Sequence, residues 1–155
     1  METLHHMMET LPPRLSGLSI GHAQLNERIV PTSQQQRVLT VKEGIRPDLY
    51  WKQWKIAIEH DGEEGHFTRC RWRSDHERVQ DYQVCEIKVF TTTYDDVKSV
   101  ARFNAFVEKL CVSIAEAGSP NVSKRVRALM RSSEFRSRQG ELLNVLLPNS
   151  SDLAY

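Results

Sequence analysis

The chain has 155 residues, of which 39% are hydrophobic and 26% are charged, and its formal net charge is +1. This composition is ordinary for a globular domain with its own apolar core, and it excludes a low-complexity chain and a strongly acidic or basic one. No apolar run approaches the ~18 residues that a membrane span needs, and the N-terminus lacks the apolar core of a signal peptide. These features predict a cytoplasmic protein with no membrane partner.

The three cysteines, an odd number, show neither a CxxC motif nor the spacing of a zinc site. They are therefore interpreted as reduced, structural thiols in a cytoplasmic protein. The cysteines are Cys70, Cys85 and Cys111.

The first 35 residues carry a weak pattern, because "LPPRLSG" contains proline and glycine, which interrupt helices. Within them, a short helix is predicted near Ser19–Arg28. Alternation of apolar residues then predicts strands, and longer amphipathic periods predict helices. The predicted strands are 37–44, 45–51, 54–60 and 84–92. The predicted helices are 68–82, 94–117, 122–132 and 134–147.

This order of elements predicts an α/β layered domain. Three parts are expected: a partly irregular N-terminal extension (1–35), a core (36–118) and a basic helical C-terminal extension (119–155). In the core, Lys52 and Gln53 are predicted to form a tight turn that pairs Trp51 with Trp54 across a hairpin.

Acidic side chains accumulate at the open end of that hairpin. Asp48 lies before the turn, and Glu59 and Asp61 follow the apolar run "KIAI" on one face of the next strand. Like charges at the separations of cross-strand neighbours, roughly 5–8 Å, raise each other's pKa and oppose folding. A hard cation such as Mg²⁺ relieves this repulsion by taking carboxylate oxygens as ligands. The alternative is a solvated surface hairpin, and the glycine loop that leads to His66 favours the metal site.

The ordered set of these residues resembles a known family. The chain contains Arg46-Pro47-Asp48, then "EHDG" at 59–62, then His66 five residues after Asp61, then "DHER" at 75–78, and then the strand "VCEIKVF". This order and spacing resemble the endonuclease-like domains related to the very-short-patch repair (Vsr) endonucleases, a branch of the PD-(D/E)XK superfamily. The resemblance covers about residues 37–110. The lysine that the superfamily usually carries after the glutamate is Asp61 here.

The resemblance implies a restriction-endonuclease-like three-layer core, with a mixed β-sheet flanked by helices. It implies that Asp48 and Glu59 bind Mg²⁺, with Mn²⁺ as a possible substitute, and that Asp61 completes the ligand shell or positions the water. His66 is then the general acid or base, or a contact to the scissile phosphate, because a pKa near ~6.5 suits proton transfer. Asp75 supports the site by orienting His66 or by pairing with an arginine.

Basic residues cluster in residues 121–140, where six basic side chains stand against one acidic side chain, a local charge of +5. Such clusters suit a DNA backbone, although a solvated helix face is the alternative. Lys55 is a lesser candidate, on the assumption that it shares the strand face of Glu59. The predicted DNA contacts are Arg69, Arg71, Arg73, Lys124, Arg125, Arg127 and Arg131.

The leading hypothesis is a Mg²⁺-dependent endodeoxyribonuclease that nicks or cleaves DNA in repair or defence. The alternative is a catalytically inactive module of the same fold that binds nucleic acid or another protein. The number of protomers stays open, and a homodimer is one option.

Overall fold

The computed structural model of the protein describes residue 6, residues 8–61 and residues 69–146, with side chains at all of these positions except 69–75 and 143–146. Within these ranges, no helix is both long enough and apolar enough to cross a lipid bilayer.

The chain divides into two compact units. One unit, here called the sheet unit, is the continuous segment Ala23–Thr93. The other, here called the helical unit, combines Met1–His22 with Tyr94–Tyr155. The sequence placed boundaries after residues 35 and 118, and those boundaries stay predictions.

The sheet unit contains a four-stranded mixed sheet with the strand order β1-β2-β3-β4. Neighbours pair antiparallel from β1 to β3, whereas β3 and β4 are parallel, and a helix connects these two strands. This arrangement confirms the predicted α/β class with a mixed sheet. The elements are β1 (Gln24–Leu25), α1 (Ser33–Gln36), β2 (Leu49–Trp51), β3 (Ile56–Asp61), α2 (Arg69–Val84) and β4 (Lys88–Thr93).

The β2–β3 hairpin has a four-residue loop. Trp51 pairs with Ile56 and Leu49 with Ile58, so the predicted two-residue turn and the Trp51–Trp54 strand pair are wrong. The loop closes because Trp54 N–H donates to Trp51 O at 3.1 Å and Lys55 adopts a positive φ of 51°. The two indole rings still pack, with centroids 6.4 Å apart, and Trp51 is fully buried.

One face of the sheet packs against the C-terminal part of α2. Tyr50 and Ala57, which are direct partners on β2 and β3, join Tyr82 and Cys85 in one buried apolar cluster. The cluster also includes Leu39, Ile45 and Ile87. It fixes the last turns of α2 over the strands that carry the acidic residues.

The segment 37–44 is not the predicted strand. Helix α1 comes first, with a capping box in which Thr32 and Gln35 satisfy each other's backbone N–H groups. Leu39 is 1% exposed, whereas Val41, which would share its strand face, is 48% exposed, so the alternation does not mark a buried face. The segment ends at Gly44, whose φ of +110° and whose close approach to Ile29 O leave no room for a Cβ.

Other predicted boundaries in the sheet unit also shift. Residues 24–25 form an edge strand rather than part of a helix, because they pair with β2. The second predicted strand is reduced to Leu49–Trp51, and the fourth begins at Lys88 rather than at residue 84. Residues 84–87 instead end α2 and turn the chain, with a positive φ of 57° at Glu86.

The helical unit contains four consecutive helices in the described C-terminal part. The predicted helix 94–117 is broken at Ser99, whose extended backbone and side-chain oxygen cap the second piece through the N–H of Arg102. The two predicted short helices are confirmed, with bounds shifted by one or two residues. The elements are α3 (Tyr94–Lys98), α4 (Val100–Glu116), α5 (Pro120–Arg131) and α6 (Ser133–Leu146).

Helix α4 buries one amphipathic stripe, which includes Phe103, Leu110 and Ile114. The Ser123 hydroxyl on α5 donates to Cys111 O at 2.6 Å and joins these two helices. The N-terminal segment belongs to the same unit, since the Arg125 guanidinium donates to Ser19 O.

Two of the three cysteines are buried free thiols, Cys85 and Cys111. Burial raises the pKa of both, that of Cys111 to about 11. Because the thiolate is the reactive form, we expect both to resist iodoacetamide in the native protein at about pH 8 and to react once urea unfolds the chain. Mass spectrometry of the labelled peptides checks this, and equal labelling rates with and without urea would contradict it.

Candidate functional site

Two acidic residues meet at the open end of the β2–β3 hairpin. The register pairs Leu49 with Ile58, so one further step along the strands brings Asp48 opposite Glu59. Oδ2 of Asp48 accepts a hydrogen bond of 2.6 Å from the His60 backbone N–H, which fixes this carboxylate against β3. Directly opposed residues of an antiparallel pair share one face of the sheet. Asp48 and Glu59 are therefore neighbours on one face.

The Glu59 carboxylate is largely enclosed, with its side chain 16% exposed. Its Oε1 accepts one hydrogen bond from the Tyr82 hydroxyl and another of 2.7 Å from Nη2 of Arg78. Burial raises the pKa of Glu59 and the charge of Asp48 adds to this rise, whereas the bonds from Tyr82 and Arg78 oppose it. The pKa of Tyr82 is raised as well, first by burial and then by its bond to Glu59. Glu59 thus belongs to a buried network with a cation at its edge.

Arg78 supplies a positive charge beside the acid pair. Its Nη2 bonds Glu59 and also lies 3.3 Å from Arg46 O, and its side chain is 50% exposed. From the sequence, a divalent ion is expected to relieve the carboxylate repulsion. A guanidinium provides part of that relief here, since an opposite charge at this distance favours the ionised carboxylate.

Asp61 ends β3 and is exposed. Strand alternation places it on the face of Glu59, while the His60 ring on the other face lies 3.4 Å from the Thr92 hydroxyl. Among the described residues, no group of three or more histidine, cysteine, aspartate or glutamate side chains is arranged to hold a metal ion. The donors that come together are Asp48 and Glu59. Mg²⁺ is commonly held by one or two carboxylates together with waters, so this pair fits such an ion chemically.

Several predicted site residues fall outside the described part of the chain. His66 lies in the segment 62–68, and the side chains of Arg69, Arg71, Arg73 and Asp75 lie in the segment 69–75. Their predicted roles stay predictions.

Lys55 does not share the strand face of Glu59, contrary to the sequence-based assumption. It lies in the hairpin loop before β3, and its Nζ forms an ion pair of 2.6 Å with Oε2 of Glu86. The positive φ at Lys55 turns the chain here, so strand alternation does not extend back to this residue.

The predicted DNA-binding residues of α5 are not equivalent. Arg127 places Nε 2.8 Å and Nη2 2.7 Å from Oε1 of Glu108, and Arg125 is bonded to Ser19 O. Lys124 and Arg131 are exposed. Two of the four basic side chains are therefore engaged within the helical unit, and Lys124 and Arg131 are the better candidates for a phosphate contact.

The Glu108–Arg127 pair gives a pH-dependent prediction. The hydrogen bond and charge of Arg127 lower the pKa of Glu108 below its ordinary value of 4.5. The stabilisation is therefore present above pH 4.5 and disappears as pH falls through the lowered pKa. We expect Glu108→Gln to lower urea stability slightly at about pH 7 and not at about pH 3, since exposed pairs contribute little. An unchanged difference at low pH would contradict this assignment.

A cavity of about 280 Å³ lies between residues 40–46 and α2. Asp81, a buried residue on α2, holds one wall in place, because its Oδ1 and Oδ2 accept the backbone N–H groups of Thr40 at 2.9 Å and Val41 at 3.0 Å. The described lining residues are Thr40, Val41, Gly44, Ile45, Arg46, Glu77, Arg78 and Asp81. Arg78 therefore belongs both to this cavity and to the network of Glu59.

Sequence reasoning did not identify the roles of Arg78, Asp81 and Tyr82. A signal was present: positions 78, 81, 82 and 85 follow the i, i+3, i+4, i+7 spacing of one helix face. Tyr82 and Cys85 on that face are buried. Polar groups on the buried face of a helix need hydrogen-bond partners, and this points to a network.

Comparison of the chain with protein-family models, with curated proteins and with solved structures gives no match.

Proposed function

We propose that the protein is a metal-dependent endonuclease that hydrolyses phosphodiester bonds in DNA, with a restriction-endonuclease-like core. The observation that supports this most directly is the opposition of Asp48, just before β2, and Glu59, within β3. Carboxylates paired across strands are costly unless a cation balances them. A mixed sheet with a helix between parallel strands is compatible with the proposed core.

In this proposal Asp48 and Glu59 hold Mg²⁺, or Mn²⁺ in its place. The ion supplies an activated water and stabilises charge on the phosphoryl oxygen. Asp48 is pre-oriented by the His60 N–H, and Tyr82 orients Glu59 through its hydroxyl. Asp61 positions water at the exposed end of β3. His66 moves the proton, with Asp75 in support.

Binding of the DNA backbone is assigned to the basic residues. On α5, Lys124 and Arg131 are the proposed contacts of the helical unit, with Arg125 and Arg127 contributing less because of their internal bonds. Arg69, Arg71 and Arg73 at the start of α2 are proposed to contribute as well.

The test is nicking of supercoiled plasmid by the full chain with Mg²⁺, with Mn²⁺ and with EDTA. The proposal expects nicks in either metal and none in EDTA. It also expects DNA ligase to seal the nicks, since the resemblance implies 5′-phosphate and 3′-hydroxyl ends. Unchanged plasmid in both metals would overturn the nuclease assignment.

The Arg78–Glu59 ion pair favours a second candidate, a nuclease-fold module that binds nucleic acid without cleaving it. An internal guanidinium can keep the acid pair stable without any metal ion. A gel-shift assay run beside the plasmid assay separates the two functions. Retarded DNA that stays uncut in every metal supports the module.

A further inference from the structure

We infer that Arg78 couples metal binding to the binding of a substrate phosphate. In the free protein its guanidinium pairs with Glu59. When DNA binds, Arg78 turns to a phosphate group at the neighbouring cavity and releases Glu59 to the metal ion. This inference rests on the proposed nuclease function and adds a regulatory step to the same site.

The position of Arg78 allows both contacts. Its Nη2 lies 2.7 Å from Oε1 of Glu59, and the residue also lines the cavity of about 280 Å³. Its side chain is half exposed, whereas the Glu59 side chain is largely enclosed. The α2 backbone holds the Cα of Arg78 in place. Rotation about the side-chain torsions therefore suffices to move the guanidinium from the Glu59 carboxylate to a phosphate.

The cavity lining includes two arginines that can bind phosphate oxygens. Arg46 joins Arg78 in the lining, and Val41 and Ile45 contribute apolar surface. Guanidinium groups bind phosphate oxygens through paired hydrogen bonds. Glu77 and Asp81 also line the cavity, but the Asp81 carboxylate already accepts two backbone N–H groups of the opposite wall.

The movement of Arg78 to a phosphate and the binding of the metal ion by Glu59 depend on each other. If Arg78 left without a replacement, Glu59 would lose the cation that pairs with it. If a metal ion arrived while Arg78 stayed, two cations would compete for one carboxylate. A phosphate that draws Arg78 away therefore favours the metal ion, and by linkage the metal ion favours the phosphate to the same degree.

The experiment measures Mn²⁺ affinity of the full chain, with and without a short phosphorothioate DNA duplex that resists cleavage. Electron paramagnetic resonance reports free Mn²⁺, and DNA alone and Glu59→Gln protein serve as blanks. In wild type, the duplex is expected to tighten Mn²⁺ binding about tenfold, within the usual range of such couplings. Arg78→Gln is expected to bind Mn²⁺ about tenfold tighter without DNA and to gain nothing further from DNA.

Two variants control the result. Arg78→Lys keeps a cation but loses the planar fork, so partial coupling is expected, and it replaces Arg78→Gln if circular dichroism shows that the latter is unfolded. Arg102→Gln removes a 58% exposed arginine of the helical unit and is expected to behave as wild type.

The outcomes separate the two proposals. Equal Mn²⁺ affinity in wild type and Arg78→Gln, together with metal-dependent nicking, overturns the coupling and leaves the nuclease function in place. Absence of Mn²⁺ binding in every variant overturns both. If the duplex leaves the Mn²⁺ affinity of the wild-type protein unchanged, this result alone overturns the coupling.

Discussion

Asp48→Asn is expected to reduce metal-dependent plasmid nicking by at least about 100-fold. Loss of one carboxylate ligand weakens a metal centre whose catalytic contribution is several kcal/mol, and each 1.36 kcal/mol corresponds to about tenfold in rate. The fold is expected to survive, because the asparagine oxygen can still accept the His60 N–H that now bonds Oδ2 at 2.6 Å. Initial nicking rates in Mg²⁺ and in Mn²⁺ measure the effect.

The matched control is Asp95→Asn on α3, which removes a 60% exposed carboxylate of the helical unit. It is expected to nick at the wild-type rate. Nicking by Asp48→Asn at a rate close to that of wild type would remove Asp48 from the metal centre. Asp48→Ala adds a second comparison, since it also deletes the acceptor of the His60 N–H and is expected to lose stability as well as activity.

Asp81→Ala is expected to lower the free energy of unfolding by about 3 kcal/mol. The reason is that two hydrogen bonds to a buried charged acceptor are lost, each of which contributes about 1.5–3 kcal/mol where it is shielded from water. Both bonds tie the loop at Thr40 and Val41 to α2, and the loop residues themselves are exposed, which limits the total. Urea unfolding followed by tryptophan fluorescence measures the change.

Gln83→Ala is the control, because Gln83 is exposed on the same helix. Its effect is expected to stay within about 0.5 kcal/mol. The free energy of unfolding of Asp81→Asn is expected to lie between those of Asp81→Ala and Gln83→Ala. The amide keeps one acceptor oxygen, but its NH₂ group faces a backbone N–H. A stability of Asp81→Ala equal to that of Gln83→Ala would mean that the loop does not depend on Asp81.

The sequence could predict that Asp48 and Glu59 share one face of the sheet. The face depends only on whether the hairpin register is shifted by an even or an odd number of residues. The predicted hairpin register was wrong by two residues, and a shift of two leaves every side chain on its original face. The shift even improves the pairing: the predicted Trp51–Trp54 pair implies that Asp48 lies opposite Ala57, whereas the observed register brings it opposite Glu59. A one-residue error would have separated the acids.

Local patterns failed where tertiary contacts decide the structure. Residues 37–44 alternate like a strand, yet Asp81 bonds the backbone of Thr40 and Val41, groups that a strand would need for its ladder. Residues 24–25 carry no strand signal of their own and are held by β2. The bond from Arg78 to Glu59 spans 19 positions and depends on the placement of α2 over the sheet, which no local period encodes.

The division of the chain into a continuous and a discontinuous unit has a consequence for its synthesis. Because the sheet unit is one segment that ends at Thr93, all of its strands have been made once that residue leaves the ribosome. The first 22 residues belong with helices that are translated later, so they must wait for partners such as Arg125, 106 positions downstream of Ser19. Domains generally fold as units in the order of their emergence. Asp48 and Glu59 thus come together in the sheet unit, whose whole sequence is translated before that of the helical unit is complete.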